Sequence, residues 1–567
     1  LTPENIQTAA GHKDADIRLH TMRILAEVTP DKKAFFPIVL SGLKDDNPHV
    51  RRAATELLSY YPDMETLRTA LAMRAEVSPE ESHFFYTTRL VIRNLLRNDM
   101  LMKEAAKTNW NEQEAGFISD VLMGVHSEIA GDFLFNYIKQ FTPPADHAGA
   151  IYRHIARYVR PNDLDVSIRT AMQQRYPDTM NILVYQGIKL GIAQRGLEGN
   201  KELDAWGKSL SGRILADNPY IKDATPEMLR MQKVAADIAG NQQITGVTES
   251  LKQILRGVTT EDLTRQGHFD LDDNIVNLKT SALRALIMID PAEGANKVLE
   301  IIESNETNPD FRKNTGRMLT GFPEFVAERI VKNLKNPSPD LQSGIAYTLS
   351  GTPQGKDLLF NEVKNKRIYP GILLQPVVSE RIMLNISPAQ KRTLEELTKN
   401  VSSVDAERQQ EIDTRLENYQ KQLFAQAPSA DSGKMVFLQN CAACHRMAEE
   451  GGEIGPNLDG VSQWGARSLA EKILDPNRFV SENFRTYTIR LKDQRVMMAL
   501  YRRDEGAVSV FADITGEEFS IPKQDILQQT PSKLTLMPDD FRQRLNDKDF
   551  NALVYFLLNP KLAKQKN

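Results

Sequence analysis

Five hundred and sixty-seven residues are several times the usual single-domain length, so the chain holds several cores or an extended array rather than one globule. Apolar residues at 41% and charged residues at 26% exclude wholesale disorder, collagen-like repetition and a membrane-embedded body. Seventy-one Lys and Arg against 75 Asp and Glu leave a net charge of −4 with no long basic run, which removes nucleic acid as an expected partner. No apolar stretch of about eighteen residues and no charged-then-apolar start occurs, so no membrane span or signal peptide is read within these residues. The chain begins at Leu1, and Leu1-Thr2-Pro3-Glu4 runs into a repeat-type helix without a visible cap. Because helical arrays need capped ends, a leader or a further domain upstream of Leu1 is expected.

Through residues 1–426 the pattern is helical. Turns with Asp or Asn-Pro precede an apolar and then a basic or polar residue: Asp16-Ile17-Arg18, Asn47-Pro48-His49-Val50-Arg51, Asn308-Pro309-Asp310-Phe311-Arg312 and Asn336-Pro337-Ser338-Pro339-Asp340-Leu341. Ile17 and Val50 stand 33 residues apart, as do Leu278 and Phe311, and Phe311 and Leu341 stand 30 apart. Each anchor opens a stripe such as Val50, Ala53, Ala54, Leu57 and Leu58, so each unit is an amphipathic helix pair that must stack on its neighbours. This predicts a HEAT-like α-solenoid, regular at both ends and irregular over 80–250, with a helical tail over 387–426. His83, His126, His147, His154 and His268 fall singly and read as surface or packing residues. Lys44-Asp45-Asp46 and Asp405-Ala406-Glu407-Arg408 read as solvated helix ends. No GxSxG, phosphate loop or paired-carboxylate motif occurs. Ala427-Pro428-Ser429-Ala430-Asp431-Ser432 has a linker's composition.

The two cysteines of the chain follow, in Cys441-Ala442-Ala443-Cys444-His445. CxxCH is the c-type haem attachment pattern, in which two thiols bond the porphyrin and the adjacent imidazole is held on the iron. A zinc half-site would need ligands that this region lacks, and a redox dithiol would need a βαβ setting. Gly433, Phe437 and Cys441 are spaced four apart on one helix face. Their expected partner is a last helix starting near Asp547 or Asp549 and carrying Phe550, Leu553, Val554, Phe556 and Leu557. In Gly455-Pro456-Asn457-Leu458-Asp459-Gly460, a proline carbonyl can accept the Nδ1 proton of His445. With no other histidine here, a sixth ligand comes from Met447, Met497, Met498 or Met537. Met447 is too close to His445 to reach the opposite face of the ring, and Met497 or Met498 points into a small sheet core. Between about 486 and 526, alternating runs such as Tyr487, Ile489, Leu491 and Val496, Met498, Leu500 predict a meander of four or so strands, broken at Lys492-Asp493-Gln494, Asp504-Glu505-Gly506 and Thr515-Gly516-Glu517.

Together these residues resemble the class I cytochrome c pattern over roughly 431 to 567: Gly and Phe before CxxCH, a GPNL loop after the histidine, then an apolar C-terminal helix. The resemblance implies a mainly α fold, a solenoid followed by a class I cytochrome c domain over 433–567 after a linker at 427–432. It makes Cys441 and Cys444 the porphyrin attachments and His445 the proximal ligand, with Gly455, Pro456 and Leu458 in the supporting loop and Arg467 in the place of the propionate-binding arginine. The family's axial methionine precedes a proline before the final helix, which selects Met537. His445 and Met537 lie 92 residues apart, longer than the family's usual spacing. A β insertion between Leu474-Asp475-Pro476 and Leu536-Met537-Pro538 is similar to the haem-binding domain common in Planctomycetes, Verrucomicrobia and some Bacteroidetes.

The expected cofactor is one covalently bound haem c. With His and Met ligands the iron has no open position, which favours one-electron transfer over oxygen chemistry. The expected role is a periplasmic or surface electron-transfer protein of bacteria that takes electrons from an associated dehydrogenase domain or subunit, held by the HEAT surface, and passes them to a downstream redox acceptor. The catalytic part of any such enzyme is not read in this chain. The alternative is a HEAT scaffold or sensor that uses the haem for redox or ligand sensing, with Met537 displaceable. A peroxidase-like enzyme would need an open or switchable sixth site. Residues 431–567 carry 19 basic and 19 acidic side chains, so composition marks no charged docking patch.

Overall fold

The computed structural model describes residues 3–27, 32–78, 80–217, 225–256, 271–303, 311, 315, 324–333, 339–384, 386–399, 404–447, 450–478, 480–493, 496–513 and 517–563. Leu1, His268, Asn308 to Asp310, Asn336 to Ser338, Gln494, Thr515 and Gly516, all named in the sequence patterns above, lie outside the described residues. The chain divides into two compact units, Leu1–Gly207 and Lys208–Asn567. The fold is mainly α: helices stacked as a HEAT-like solenoid, a cytochrome c type domain and one small antiparallel sheet.

In the first unit the repeat signature has a physical meaning. Asn47 caps the helix Pro48–Leu57 by accepting from the His49 and Val50 amides, which satisfies donors that the first turn leaves free. Arg18, the basic residue after the first anchor, grips Asp45 ahead of the next helix through two bonds of 2.7 and 2.8 Å, whereas Arg51, after the second, turns back onto the Asp45 carbonyl at 2.7 Å. Arg89 grips Asp120 as Arg18 grips Asp45, and Arg195 reaches the Val159 carbonyl at 2.8 Å. Asp45, read from sequence as part of a solvated run, is therefore a repeat-to-repeat contact, and Arg18 holds its carboxyl below the usual range.

Among the described residues of 80–250 the chain is helical, and its pairing was hidden for a structural reason. Helices Ala145–Tyr158 and Asp178–Gln194 bury apolar residues such as Ile151, Ile155 and Ile188 and approach each other closely at glycines. A Cβ on Gly187 would sit 2.1 Å from the Gly149 carbonyl oxygen, and one on Gly191 would sit 2.3 Å from that of Arg153. Two histidines read as scattered singles meet here: His154 lies against His126 and Tyr158 with ring centroids 6.2 and 4.6 Å away. His154 is buried, and desolvation pushes its imidazole down to about 4.

In the second unit the strands are β1 (Arg485–Leu491), β2 (Val496–Glu505), β3 (Val508–Ala512), β4 (Glu518–Pro522) and β5 (Ile526–Thr535), ordered β4-β3-β2-β1-β5 and antiparallel. The fifth strand, beyond the four or so expected, reads Ile526-Leu527-Gln528-Gln529-Thr530-Pro531 at its start. Its side chains are mostly exposed there, so no apolar alternation marks it. Met497 packs on the small core of Ile489, Leu491, Ala499, Phe511 and Ile521.

The sheet rests on the helices before it. β3 pairs with β2 only from Leu500 onward, which leaves the start of β2 open on that side, and an open edge needs partners. Buried Arg381 donates to the Val496 carbonyl at 2.8 Å, and the Met498 amide donates to the Tyr347 hydroxyl at 3.2 Å. Glu380 accepts from Thr488 and Ser532 hydroxyls at 3.2 and 2.7 Å. At the other end Glu517 pairs with Lys233 at 2.7 Å.

Candidate functional site

Ser429 caps the helix Ala430–Asn440 by accepting from the Ser432 amide, so the helix begins inside the segment whose composition suggested a linker. It crosses the final helix Asp547–Leu558 at Gly433, where a Cβ would lie 2.0 Å from the Ala552 carbonyl oxygen. Only glycine permits that approach. Next to it Phe437 meets Phe556 with ring centroids 5.8 Å apart. Asn546 caps the final helix through the Asp549 amide, and Asp547 and Asp549 occupy its first turn, where negative charge suits the helix dipole.

The Ala430–Asn440 helix delivers its C-terminal end to the CxxCH turn. The Cys441 amide donates to Phe437 O at 2.8 Å, and the Cys444 and His445 amides donate to Cys441 O at 3.1 and 2.9 Å. Cys441 and Cys444 are half-buried and form no disulfide. The following loop folds back onto the turn: the Gly452 amide donates to Ala442 O, the Gly455 amide to Cys444 O and the Leu458 amide to Arg446 O, all at 2.7 to 2.8 Å. Gly451, with φ +109°, would bring a Cβ to 2.1 Å from His445 O, so the fold-back requires glycine.

The imidazole of His445 is fixed from one side. Its Nδ1 lies 2.9 Å from the Pro456 carbonyl oxygen. That oxygen can only accept, so Nδ1 carries the proton and Nε2 keeps its lone pair for a ligand bond. A Cβ on Gly455 would sit 2.7 Å from Cε1 and 2.8 Å from Nδ1 of this ring, so the loop backbone lies flat against it. Burial pushes the His445 imidazole below its usual range, against the opposing hydrogen bond to Pro456. The neutral ring is the form that binds a metal.

Met447 is buried in the domain core, with Phe437, Val461, Leu469, Leu474, Phe541 and Phe550. Leu458 and Met537 pack on that same core and are partly exposed. Met537 sits between β5 and the final helix, its amide donating to the Thr535 hydroxyl at 3.3 Å. Arg467 lies on the helix Gly465–Leu474, exposed, with its guanidinium 3.0 Å from Asp413. Two thiols, a ring nitrogen held unprotonated, a glycine-lined loop and a thioether on one core fit the requirements of a haem bound through CxxCH.

The Cytochrome c family matches residues 430–493. This segment is a cytochrome c domain. A cytochrome c-553-like protein of Synechocystis sp. is 44% identical over 50 residues, which are 9% of this chain and 47% of that protein. The chain thus spans about half the length of this curated relative. Among solved structures, a Kap121p mutant aligns with 70% of this chain and 45% of its own at 12% identity and a TM-score of 0.41. A structure concerning a phosphorylation switch between cadherin and β-catenin aligns with 70% of this chain and 94% of its own, at 11% identity and a TM-score of 0.26. Those two scores are too low to carry an argument. The cytochrome c domain implies a covalently attached haem c and a role in electron transfer.

Sequence reasoning missed the helix Val404–Ala425 as part of this site. Arg408, read as a solvated helix end, is 4% exposed and bonds Asp475 at 2.8 Å and Asp539 at 3.0 Å. Arg415, two turns on, donates to the carbonyls of Leu545 and Arg542 at 2.6 and 2.8 Å. Ile412, Leu416 and Tyr419 of the same helix are buried in the cytochrome c core. The available signal was that both arginines share the face of that apolar stripe.

Proposed function

We propose that this chain is a single-haem c-type electron carrier of bacteria, working outside the cytoplasm, with His445 and Met537 as the two axial ligands. The observation that carries the reading is the 2.9 Å contact between His445 Nδ1 and Pro456 O, which prepares Nε2 as a ligand beside Cys441 and Cys444. A haem c held there supplies a one-electron couple whose potential a thioether ligand raises. The protein's own part is to hold it. Cys441 and Cys444 would hold the porphyrin by its edge, Pro456 orients the imidazole, Gly455 lets the loop backbone lie on that ring, and Leu458 packs on the core beside it. Met537, packed on the same core, would supply the thioether that holds the iron together with His445 and leaves it no open position for oxygen or water.

Covalent attachment through CxxCH supports an extracytoplasmic site of maturation, and no described helix is long and apolar enough to cross a membrane. A dehydrogenase domain or subunit as electron donor, and a separate redox acceptor, fit a carrier that has no catalytic constellation of its own. The HEAT-like surface is suited to holding the donor. Met537→Ala tests the ligand assignment. The oxidised protein should lose the weak near-red sulfur-to-iron band while the haem stays attached, and the reduced variant should bind carbon monoxide. Retention of the band would show that another residue is the ligand. Ready carbon monoxide binding by the unaltered protein would favour ligand sensing over transfer.

A further inference from the structure

We propose that Arg408 is a positioning residue for the sixth ligand, holding the Met537 loop closed from a helix that lies outside the matched cytochrome c segment. The proposal rests on the reading of Met537 as that ligand. The β sheet interrupts the domain between Asp475 and Asp539, so the loop that carries Met537 is joined to the CxxCH side only through the full length of the insertion. A loop closed over so long a segment pays an entropy that grows with its length, and the chain has short-circuited it at both ends. On the N-terminal side of Met537, its amide donates to the Thr535 hydroxyl at 3.3 Å. The Thr535 amide in turn donates to Asn477 Oδ1 at 3.0 Å, which ties the exit of β5 to the entry of the insertion.

On the C-terminal side the link is Arg408. Its Nη1 binds Asp475 Oδ1 at 2.8 Å, and its Nη2 binds Asp539 Oδ2, two residues past Met537, at 3.0 Å. The side chains of Arg408, Asp475 and Asp539 are 5%, 6% and 14% exposed. Arg478 completes the group, with Nε 2.8 Å from Asp475 Oδ2 and Nη1 2.8 Å from Gln409 Oε1. Arg408 thus uses both terminal nitrogens on the two carboxylates in a nearly water-free place, and the Arg542 guanidinium stands close enough to feel both Arg408 and Asp539. Removing one partner of such a buried group leaves an uncompensated charge, and the cheapest relief here is for Asp539 to swing out to solvent. That motion would draw Met537 from its place on the core. Arg408 thus sets how readily the sixth position opens, without touching the cofactor.

The test uses the full chain matured with haem in a host able to attach it. Arg408→Ala and Arg408→Lys are compared with the unaltered protein by the near-red band, by titration with imidazole and by tryptic cleavage after Arg542 and Arg544. Arg408→Ala should keep the haem covalently bound, weaken the band, lower the imidazole concentration for half-displacement about tenfold or more, and speed cleavage. Arg408→Lys, which restores charge without the two-pronged geometry, should fall between. Should Arg408→Ala fail to fold, Asp539→Asn, which removes one arm only, should shift imidazole binding in the same direction. Unchanged imidazole binding and cleavage in a variant whose parent shows the band would overturn the role of Arg408. A parent without the band would instead overturn the ligand assignment, and the proposal with it.

Discussion

Single atoms decide the chemistry of this site. The Pro456 carbonyl fixes which nitrogen of His445 is protonated, and the missing Cβ of Gly455 is what lets the loop lie on the ring. In Gly455→Ala a methyl group would sit 2.7 to 2.8 Å from the imidazole. The ring must rotate or the loop must lift, at a cost of about 1–3 kcal/mol, and the expected outcome is a lower haem yield and a displaced reduction midpoint by spectroelectrochemistry. A wild-type midpoint would mean that the ring does not depend on this contact. A second prediction concerns His154. Burial lowers its pKa from 6.5 to about 4, so between those values the unfolded chain takes up a proton that the folded chain refuses. Stability should therefore fall as the pH drops from about 6.5 towards about 4, by up to about 3 kcal/mol, and should level off below. Unfolding curves at pH 7 and 4.5 should show that loss, and His154→Leu should reduce it; an unchanged slope in the variant would assign the loss elsewhere.

At the scale of elements, close approach at glycine adds to side-chain packing at the decisive crossings. Gly433 puts the Ala430–Asn440 helix against the backbone of the final helix, so Gly433→Ala should push the two apart and cost about 1–3 kcal/mol or more, read as a lower melting temperature of the haem-bound form. The sheet is held by polar contacts instead. Arg381→Ala would leave the Val496 and Tyr347 carbonyls, 2.8 and 3.2 Å from its guanidinium, without that donor, and should cost about 1–3 kcal/mol without altering the haem spectrum. A changed spectrum would mean that the sheet's docking reaches the iron. These elements differ in how far the sequence reveals them. The Gly433, Phe437, Cys441 spacing and the Phe550 to Leu557 stripe are periodic and local, and so the crossing was legible. β5 was not, because its polar residues face solvent. Helix Val404–Ala425 was misjudged at Arg408, whose carboxylate partners stand 67 and 131 residues further along, a separation over which no spacing rule operates.

Over the whole molecule, the chain joins a helical array to a redox domain, and the β insertion is the element shared between them. Its far side contacts Lys233, Tyr347, Glu380 and Arg381 of the array, while its two ends frame the Met537 loop. The array was legible at Asn47, which caps its helix by local chemistry, and at the Val50 to Leu58 stripe that follows it. Over 80–250 the helices carry apolar faces such as Ile151, Tyr152 and Ile155, and what stayed illegible was which helices pair, because the close crossing there is set by Gly149, Gly187 and Gly191. The cytochrome c domain was legible because covalent attachment demands one short motif, whereas the partner that gives or takes electrons leaves no comparable mark in composition. An iron porphyrin bonded to Cys441 and Cys444 underlies every role proposed for the domain. The most direct measurement is the intact mass and pyridine haemochrome spectrum of the denatured chain after expression with a c-type maturation system. One haem should stay with the polypeptide through denaturation and be lost in the double variant Cys441→Ala, Cys444→Ala. A colourless chain of unmodified mass, or a haem extracted by acidified solvent, would contradict that attachment.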